Sequence, residues 1–290
     1  MQRNINRGHC FVCGRPVAAG EGYRVFIRGR GYRVKCEHHA TSAECYHGSS
    51  VYRAEKVGTE KVSSLAKTKV GAEFETEGMS ADIEKYNDFR GSLERAGFCA
   101  EYDGSLDDGY ELPSPPCEGV KSLSALLHSA ENRGEDAFLR GRNCGMHLHA
   151  EIANIELMRN WYHTLFIPFC EWIDGHSEDF CKANFGGKFR GYAHKIDRNS
   201  CPTEHSNFVN TQHTYTLEWR LPRYTCASQT VILLKFWRKV AWMLNTTEWK
   251  EDADRATRKA IATKAGENIV KIAVDTFEKG DIDKLNRMTI

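Results

Sequence analysis

No stretch of the chain is apolar for long enough to span a bilayer, and its first residues, Met1-Gln2-Arg3-Asn4, lack the apolar core of a secretory leader. A soluble, cytoplasmic protein with no membrane partner is the expectation. An excess of charge of either sign is also missing. Lys and Arg number 40 against 39 Asp and Glu, so the net charge is +1. Whole-chain attraction to nucleic acid is thereby excluded, and any such role would need a local patch. Tandem repeats and low-complexity tracts are absent. No glycine-rich loop joins a strand to a helix, which argues against Rossmann and P-loop nucleotide enzymes. What remains is a globular composition, with 41% hydrophobic and 27% charged residues over 290 positions.

Cysteine is plentiful instead, with 11 in the chain. A chain this large has no need of a disulfide scaffold, so spacing decides how the thiols are read. Cys10 and Cys13 form C-x-x-C, and Cys36 and His39 form C-x-x-H. Thiolate and imidazole are ligands zinc prefers, and a two-residue spacer lets each pair grip the ion from one turn. The fourth ligand is open among His39, His38 and Cys45. The remaining cysteines read as reduced core thiols.

Between the two knuckles, Tyr23-Arg24-Val25-Phe26-Ile27 and Tyr32-Arg33-Val34-Lys35 flank Gly29-Arg30-Gly31, the pattern of a β-hairpin. Residues 1–50 therefore read as a small zinc-ribbon-like module stapled by metal, because so short a unit has little core of its own. Its arginines make it basic, which suits either an acidic partner or a merely solvated face. Residues 51–68, rich in Lys, Ser and Thr, read as a linker, and 69–290 as the main domain. There the pattern predicts strands near 70–77, 98–103, 109–112, 145–150 and 213–221. Helices are predicted near 80–96, 119–133, 151–174, 228–247 and 249–278. The fold class expected is α+β.

Three of the predicted strands share an unusual feature. Glu73-Phe74-Glu75-Thr76-Glu77 places carboxylates at every second position. His147-Leu148-His149 does the same with imidazoles, and Glu218-Trp219-Arg220 with a carboxylate and a guanidinium. Alternate residues of a strand share a face, so each strand has one ionisable and one apolar face. A single case would be an ordinary solvated edge. Together they describe a sheet whose concave face gathers carboxylates, imidazoles and an arginine. Carboxylates so gathered call for cations, and oxygen-rich sites suit Mg²⁺ or Mn²⁺. An arginine among them suits a phosphate.

These residues, in this order, resemble the amidoligases of the carboxylate–amine ligase superfamily, whose wider relatives are glutamine synthetase and glutamate–cysteine ligase. Val70-Gly71-Ala72-Glu73-Phe74-Glu75 is similar to the opening G-x-E-x-E strand. Asp103-Gly104-Ser105 followed by Gly109-Tyr110-Glu111-Leu112-Pro113-Ser114-Pro115 resembles D-G-S…G-x-E-[LV]-x-S-P. Cys144-Gly145-Met146-His147-Leu148-His149 resembles C-G-x-H-x-H, and Thr216-Leu217-Glu218-Trp219-Arg220 resembles T-[IV]-E-[FW]-R. The resemblance spans roughly residues 69–245 and leaves out the zinc module.

It implies a mainly antiparallel, glutamine synthetase-like sheet with a polar concave face backed by helices. It also implies ATP-dependent amide-bond formation through an acyl phosphate. Glu73, Glu75, Glu111, His147 and Glu218 are implied as Mg²⁺ or Mn²⁺ ligands. His149, Arg220 and Arg190 are implied near the nucleotide phosphates. Arg220, His149 and Asp103 are the implied catalytic set, with Ser105 beside Asp103 shaping the substrate side. The implied substrates are an amino-acid or peptide carboxylate and an amine; the zinc module would recognise a protein or a cell-wall precursor. Two other readings stand beside this one. H-x-H with carboxylates also describes a metal-dependent hydrolase. A zinc hairpin alone also describes a non-enzymatic adaptor for nucleic acid or protein, although the neutral charge speaks against nucleic acid.

Overall fold

The structure is a computed structural model. It describes residues 2–3, 8–9, 16–27, 31–35, 68–98, 100–101, 106, 108–115, 117, 120–189, 193–213 and 215–281.

In the N-terminal part, β1 (Gln2–Arg3), β4 (Tyr23–Ile27) and β5 (Gly31–Lys35) form one antiparallel sheet. The strands β2 (Gly8–His9) and β3 (Pro16–Val17) form a separate pair. The expected hairpin is present, with Tyr23 opposite Lys35 and Ile27 opposite Gly31. Cys10, Cys13, Cys36, His38, His39 and Cys45 lie outside the described residues, as does the expected linker up to residue 67. Thr68, its last residue, is fully buried.

The main part is α+β. Its sheet has five strands in the order β7-β6-β8-β10-β9, all neighbours antiparallel. These are β6 (Val70–Glu75), β7 (Glu111–Pro113), β8 (Met146–Glu151), β9 (Val209–Asn210) and β10 (Thr216–Trp219). β7 ends where Pro113 and Pro115 remove backbone donors. Ser114 extends the pairing: its N–H donates to the Ala72 carbonyl, and its hydroxyl accepts from the Ala72 N–H at 2.9 Å.

Seven α-helices are present among the described residues: α1 (Ile83–Arg95), α2 (Lys121–Asn132), α3 (Ile155–Asn160), α4 (Tyr162–Gly175), α5 (Glu178–Phe185), α6 (Ala227–Thr246) and α7 (Arg255–Ala273). α6 shows why the sequence folds this way. Thr230, Leu233, Leu234, Trp237, Val240, Ala241 and Leu244 recur at helical spacing and are all buried. The Cys226 thiol caps its first turn by accepting from the Gln229 N–H at 3.4 Å. α7 starts later than the expected position 249, because Asp254 caps it by accepting from the Thr257 N–H. Gly266 lets α7 approach α4 closely, since a Cβ there would stand 2.6 Å from the Thr164 carbonyl oxygen.

Other expectations need correction. The helix expected over 151–174 is two, α3 and α4, breaking at Trp161. Of the strand expected near 98–103, the described residues show a bridge from Glu101 to Glu111, and positions 99, 102 and 103 lie outside them. β9 and α5 were not expected at all; each is too short for periodicity to register. Cys144, Cys170 and Cys181 are buried thiols as expected, but Cys201 is exposed. No helix among the described residues is long and apolar enough to cross a membrane.

The helices close the apolar side of the sheet. Trp219 on β10 stacks within 5.2 Å of the Phe236 ring and 5.3 Å of Trp237, both on α6, and within 5.8 Å of Phe169 on α4. The Trp237 indole donates to the Leu217 carbonyl at 2.9 Å, pinning α6 to β10. Phe74, Met146, Leu148 and Leu217 fill the same face and are fully buried.

Candidate functional site

The opposite face is built by strand register. Glu73 on β6 lies opposite His147 on β8, and His149 on β8 lies opposite Glu218 on β10. Glu75 lies opposite Glu111 on β7, and Glu218 opposite Asn210 on β9. Directly opposed side chains on one face touch, so four strand pairings converge on one centre. Gly71, opposite His149, contributes no side chain and leaves the ring its space.

His147 is the hub. Its Nδ1 stands 3.2 Å from Glu73 Oε2, 3.5 Å from Glu218 Oε1 and 3.8 Å from Glu111 Oε1, and its Nε2 stands 3.6 Å from Glu75 Oε1. His149 Nε2 lies 3.2 Å from Glu73 Oε1, and its Nδ1 lies 3.4 Å from the Thr216 hydroxyl. Arg220, one residue past β10, donates from Nη1 to Glu218 Oε1 at 2.6 Å, and the same nitrogen is 3.3 Å from His205 Nε2. Glu73, His147, His149, Glu218 and Arg220 are all buried.

Burial by itself would raise the Glu73 carboxyl, but the imidazoles of His149 and His147 outweigh it and hold the group well below the usual carboxylate range. Glu218 behaves the same way. Burial opposes its charge, while the Arg220 guanidinium and the His213, His149 and His147 rings hold it ionised. Burial also opposes the charge of Arg220, yet Glu218 pushes it further up. The centre is thus kept charged by its own partners.

The loop before β8 is shaped to fit. Gly145 donates its N–H to Glu75 Oε2, and a Cβ at this position would stand 2.9 Å from that oxygen. Any larger residue here would have to displace the Glu75 carboxylate. Glu77 was expected on the same face as Glu73 and Glu75, and that expectation fails because β6 ends at Glu75. The Thr76 hydroxyl bonds both the N–H and the carbonyl of Tyr110, which turns the chain there. Glu77 instead accepts from the Asn143 side chain at 2.8 Å and holds the loop that carries Gly145.

Among the described residues, two groups have donor atoms close enough to share an ion, each set lying within 4.8 Å: Glu73 with His147 and Glu218, and His149 with His213 and Glu218. Glu75 and Glu111 belong to neither. Asp103, Ser105 and Arg190 lie outside the described residues.

Sequence reasoning missed four residues here. Asn210 donates to Glu218 Oε2 at 2.9 Å, and His213 Nε2 stands 3.2 Å from the same oxygen. Glu151, buried, extends the alternation of His147 and His149 and accepts from the Lys69 N–H. His205 flanks Arg220; burial, then the neighbouring guanidinium, pulls its pKa down. Only Glu151 carried a readable signal, the continued period of two. The other three come from a two-residue strand and irregular loops.

The fold and site define an α+β protein with a buried carboxylate–imidazole–guanidinium centre on an antiparallel sheet. No family model and no curated protein matches the chain.

Proposed function

We propose that the chain is an ATP-dependent carboxylate–amine ligase on a glutamine synthetase-like sheet, forming an amide through an acyl phosphate. One observation carries this reading: Glu73, His147 and Glu218, from three neighbouring strands, bring donor atoms within 4.8 Å, and Arg220 lies against Glu218. Two carboxylates and one imidazole, with Glu75 and Glu111 alongside, fit Mg²⁺ or Mn²⁺. Bound there, such an ion would offset the charge of nucleotide phosphates.

A carboxylate is a poor acyl donor because its leaving oxygen would depart as an anion. Transfer of the γ-phosphoryl of ATP to that oxygen makes a good leaving group, and the amine nitrogen then displaces phosphate. The chain's residues act by position. Arg220 presents a planar fork that meets two phosphoryl oxygens at once. Glu218 and its partners fix that fork. His149, held by Thr216 with its Nε2 beside Glu73, takes its place near the phosphates from its motif position. Asp103 and Arg190 enter this scheme from their motif positions alone.

The test is mass spectrometry of a cell lysate incubated with the protein, ATP and Mg²⁺. A new species equal to an acid plus an amine less water, formed with ADP, supports the reading. It fails if no such species forms and if calorimetry gives equal Mg²⁺-dependent ATP affinity for wild type, Glu73→Gln and Glu75→Gln. A hydrolytic reading has one observation in its favour, the two-imidazole, one-carboxylate group of His149, His213 and Glu218. Turnover without ATP would select it.

A further inference from the structure

We propose that His149, His213 and Glu218 form a second cation site, next to the Glu73–His147–Glu218 group and sharing Glu218 with it, selective for a borderline transition-metal dication. The proposal goes beyond the ligase reading and does not depend on it, because it rests on donor chemistry alone.

Glu218 divides between the two groups by its oxygens. Oε1 takes Arg220 Nη1 at 2.6 Å and faces His147 Nδ1 at 3.5 Å. Oε2 faces His213 Nε2 at 3.2 Å and accepts from Asn210 at 2.9 Å. One carboxylate thus serves two neighbouring ions without either sharing an oxygen. The Asn210 bond fixes the carboxylate plane, and the Thr216 hydroxyl, 3.4 Å from His149 Nδ1, fixes that ring with Nε2 among the carboxylates. Such outer hydrogen bonds are what orient metal ligands.

The His149 and His213 rings stand 5.2 Å apart, centroid to centroid, at 68°. They meet edge to face instead of stacking. The three donor atoms lie within 4.8 Å of one another. Donors about 2.1 Å from a shared tetrahedral ion stand about 3.4 Å apart, so closure asks for about 1–1.5 Å of side-chain movement at the widest pair.

Two imidazoles and one carboxylate are a nitrogen-rich set, which zinc, cobalt and iron favour and magnesium does not. Three protein donors leave a coordination position for water or for a phosphate or carboxylate oxygen. One of the three ligands reaches solvent. His149 and Glu218 are buried, but His213 comes from the loop before β10 and its side chain is 21% exposed.

The probe is Co²⁺, titrated into the metal-free full chain without nucleotide, with binding counted by equilibrium dialysis and followed by visible absorption. Cysteine sites give sulfur-to-cobalt charge transfer, whereas an imidazole–carboxylate site gives weak d–d bands without it, so the N-terminal cysteines do not confuse the count. The wild type is expected to show both signatures. His213→Ala is expected to lose the part of the sulfur-free absorption that the Glu73–His147–Glu218 group does not supply, and to bind one fewer Co²⁺ per chain or bind it about tenfold more weakly or worse. His213→Gln, which keeps an N–H for Glu218, is expected to behave like His213→Ala. Retention of that absorption in His213→Gln would reduce His213 to orienting Glu218 and overturn the site. A wild type with thiolate bands only would overturn it whether or not the variants fold. A wild type that lacks this site but binds ATP with Mg²⁺ sinks this proposal alone; a wild type that has the site but no Mg²⁺-dependent ATP binding sinks the ligase reading alone.

Discussion

The two faces of the central sheet are equally buried and chemically opposite. Glu73, His147, His149, Glu218 and Arg220 on one face are at most 6% exposed, and Phe74, Leu148, Leu217 and Trp219 on the other are fully buried. The same strands supply both sets, one residue apart. Burial therefore does not separate core from site here. The difference lies in how each face meets the cost of leaving water. The apolar face is stabilised by removing hydrocarbon from solvent and packing it. The polar face loses solvation and recovers it only through mutual pairing, which is costly for a fold that had no use for the charges. That contrast is the physical reason for reading the polar face as a functional centre.

The comparison predicts that truncation on the apolar face costs stability most. Trp219→Ala removes the ring at the meeting point of α4, α6 and β10 and leaves a cavity. The expected loss is about 3–5 kcal/mol, read as a fall in the urea midpoint. A loss below about 1 kcal/mol would mean that the apolar face is not the folding core.

A charge-conserving substitution on the other face should spare the fold and remove function. Arg220→Lys keeps the charge but loses the fork that could meet a phosphoryl group. Under the ligase reading, kcat should fall about a hundredfold with Tm nearly unchanged. The opposite result, a lower Tm with turnover intact, would make the Arg220–Glu218 pair purely structural and blur the distinction between the faces.

Much of this sheet was legible in the sequence. Period-two alternation marked β6, β8 and β10 and assigned Glu73, Glu75, His147, His149, Glu218 and Arg220 to one face, because a strand has only two faces to offer. Register was not legible. Nothing in the residue order says that Glu218 lies opposite Asn210, or that the loop at His213 folds back onto Glu218 Oε2. Such contacts depend on pairings between segments far apart, and short irregular stretches carry no period. Glu77 shows the same limit: alternation continued in the sequence after the strand had ended.

Glu77 offers an intermediate effect. It touches no member of the centre, but through Asn143 it holds the loop whose Gly145 N–H meets Glu75. Under the ligase reading, Glu77→Ala should weaken Mg²⁺-dependent ATP binding about tenfold, as loss of a supporting hydrogen bond does, and calorimetry reads it. Unchanged affinity would show that the loop holds its shape without Glu77.

The smallest effect comes from a cation that intrudes on the apolar side. Lys239 lies on α6, the helix that packs against Trp219. It is buried, with its ammonium 4.1 Å from the centre of the Trp242 ring. Burial pulls its pKa down to about 8. The unfolded chain keeps the ordinary lysine value of about 10.4, so between pH 8 and that value it binds more protons than the folded chain does, and stability rises with pH across this window. Below about pH 8 the folded protein carries the full burden of a buried charge. Lys239→Met removes that burden and keeps the stem's volume, while giving up the cation–π contact, which offsets part of the gain. The variant should therefore melt higher than wild type at pH 7, by about a few degrees. The gap should narrow as pH rises from 8 towards 10.5. Thermal melts of both proteins across this range read the slope directly. A gap that stays constant with pH would show that the ammonium is solvated in the folded state, and that the apolar side of the sheet admits water at α6.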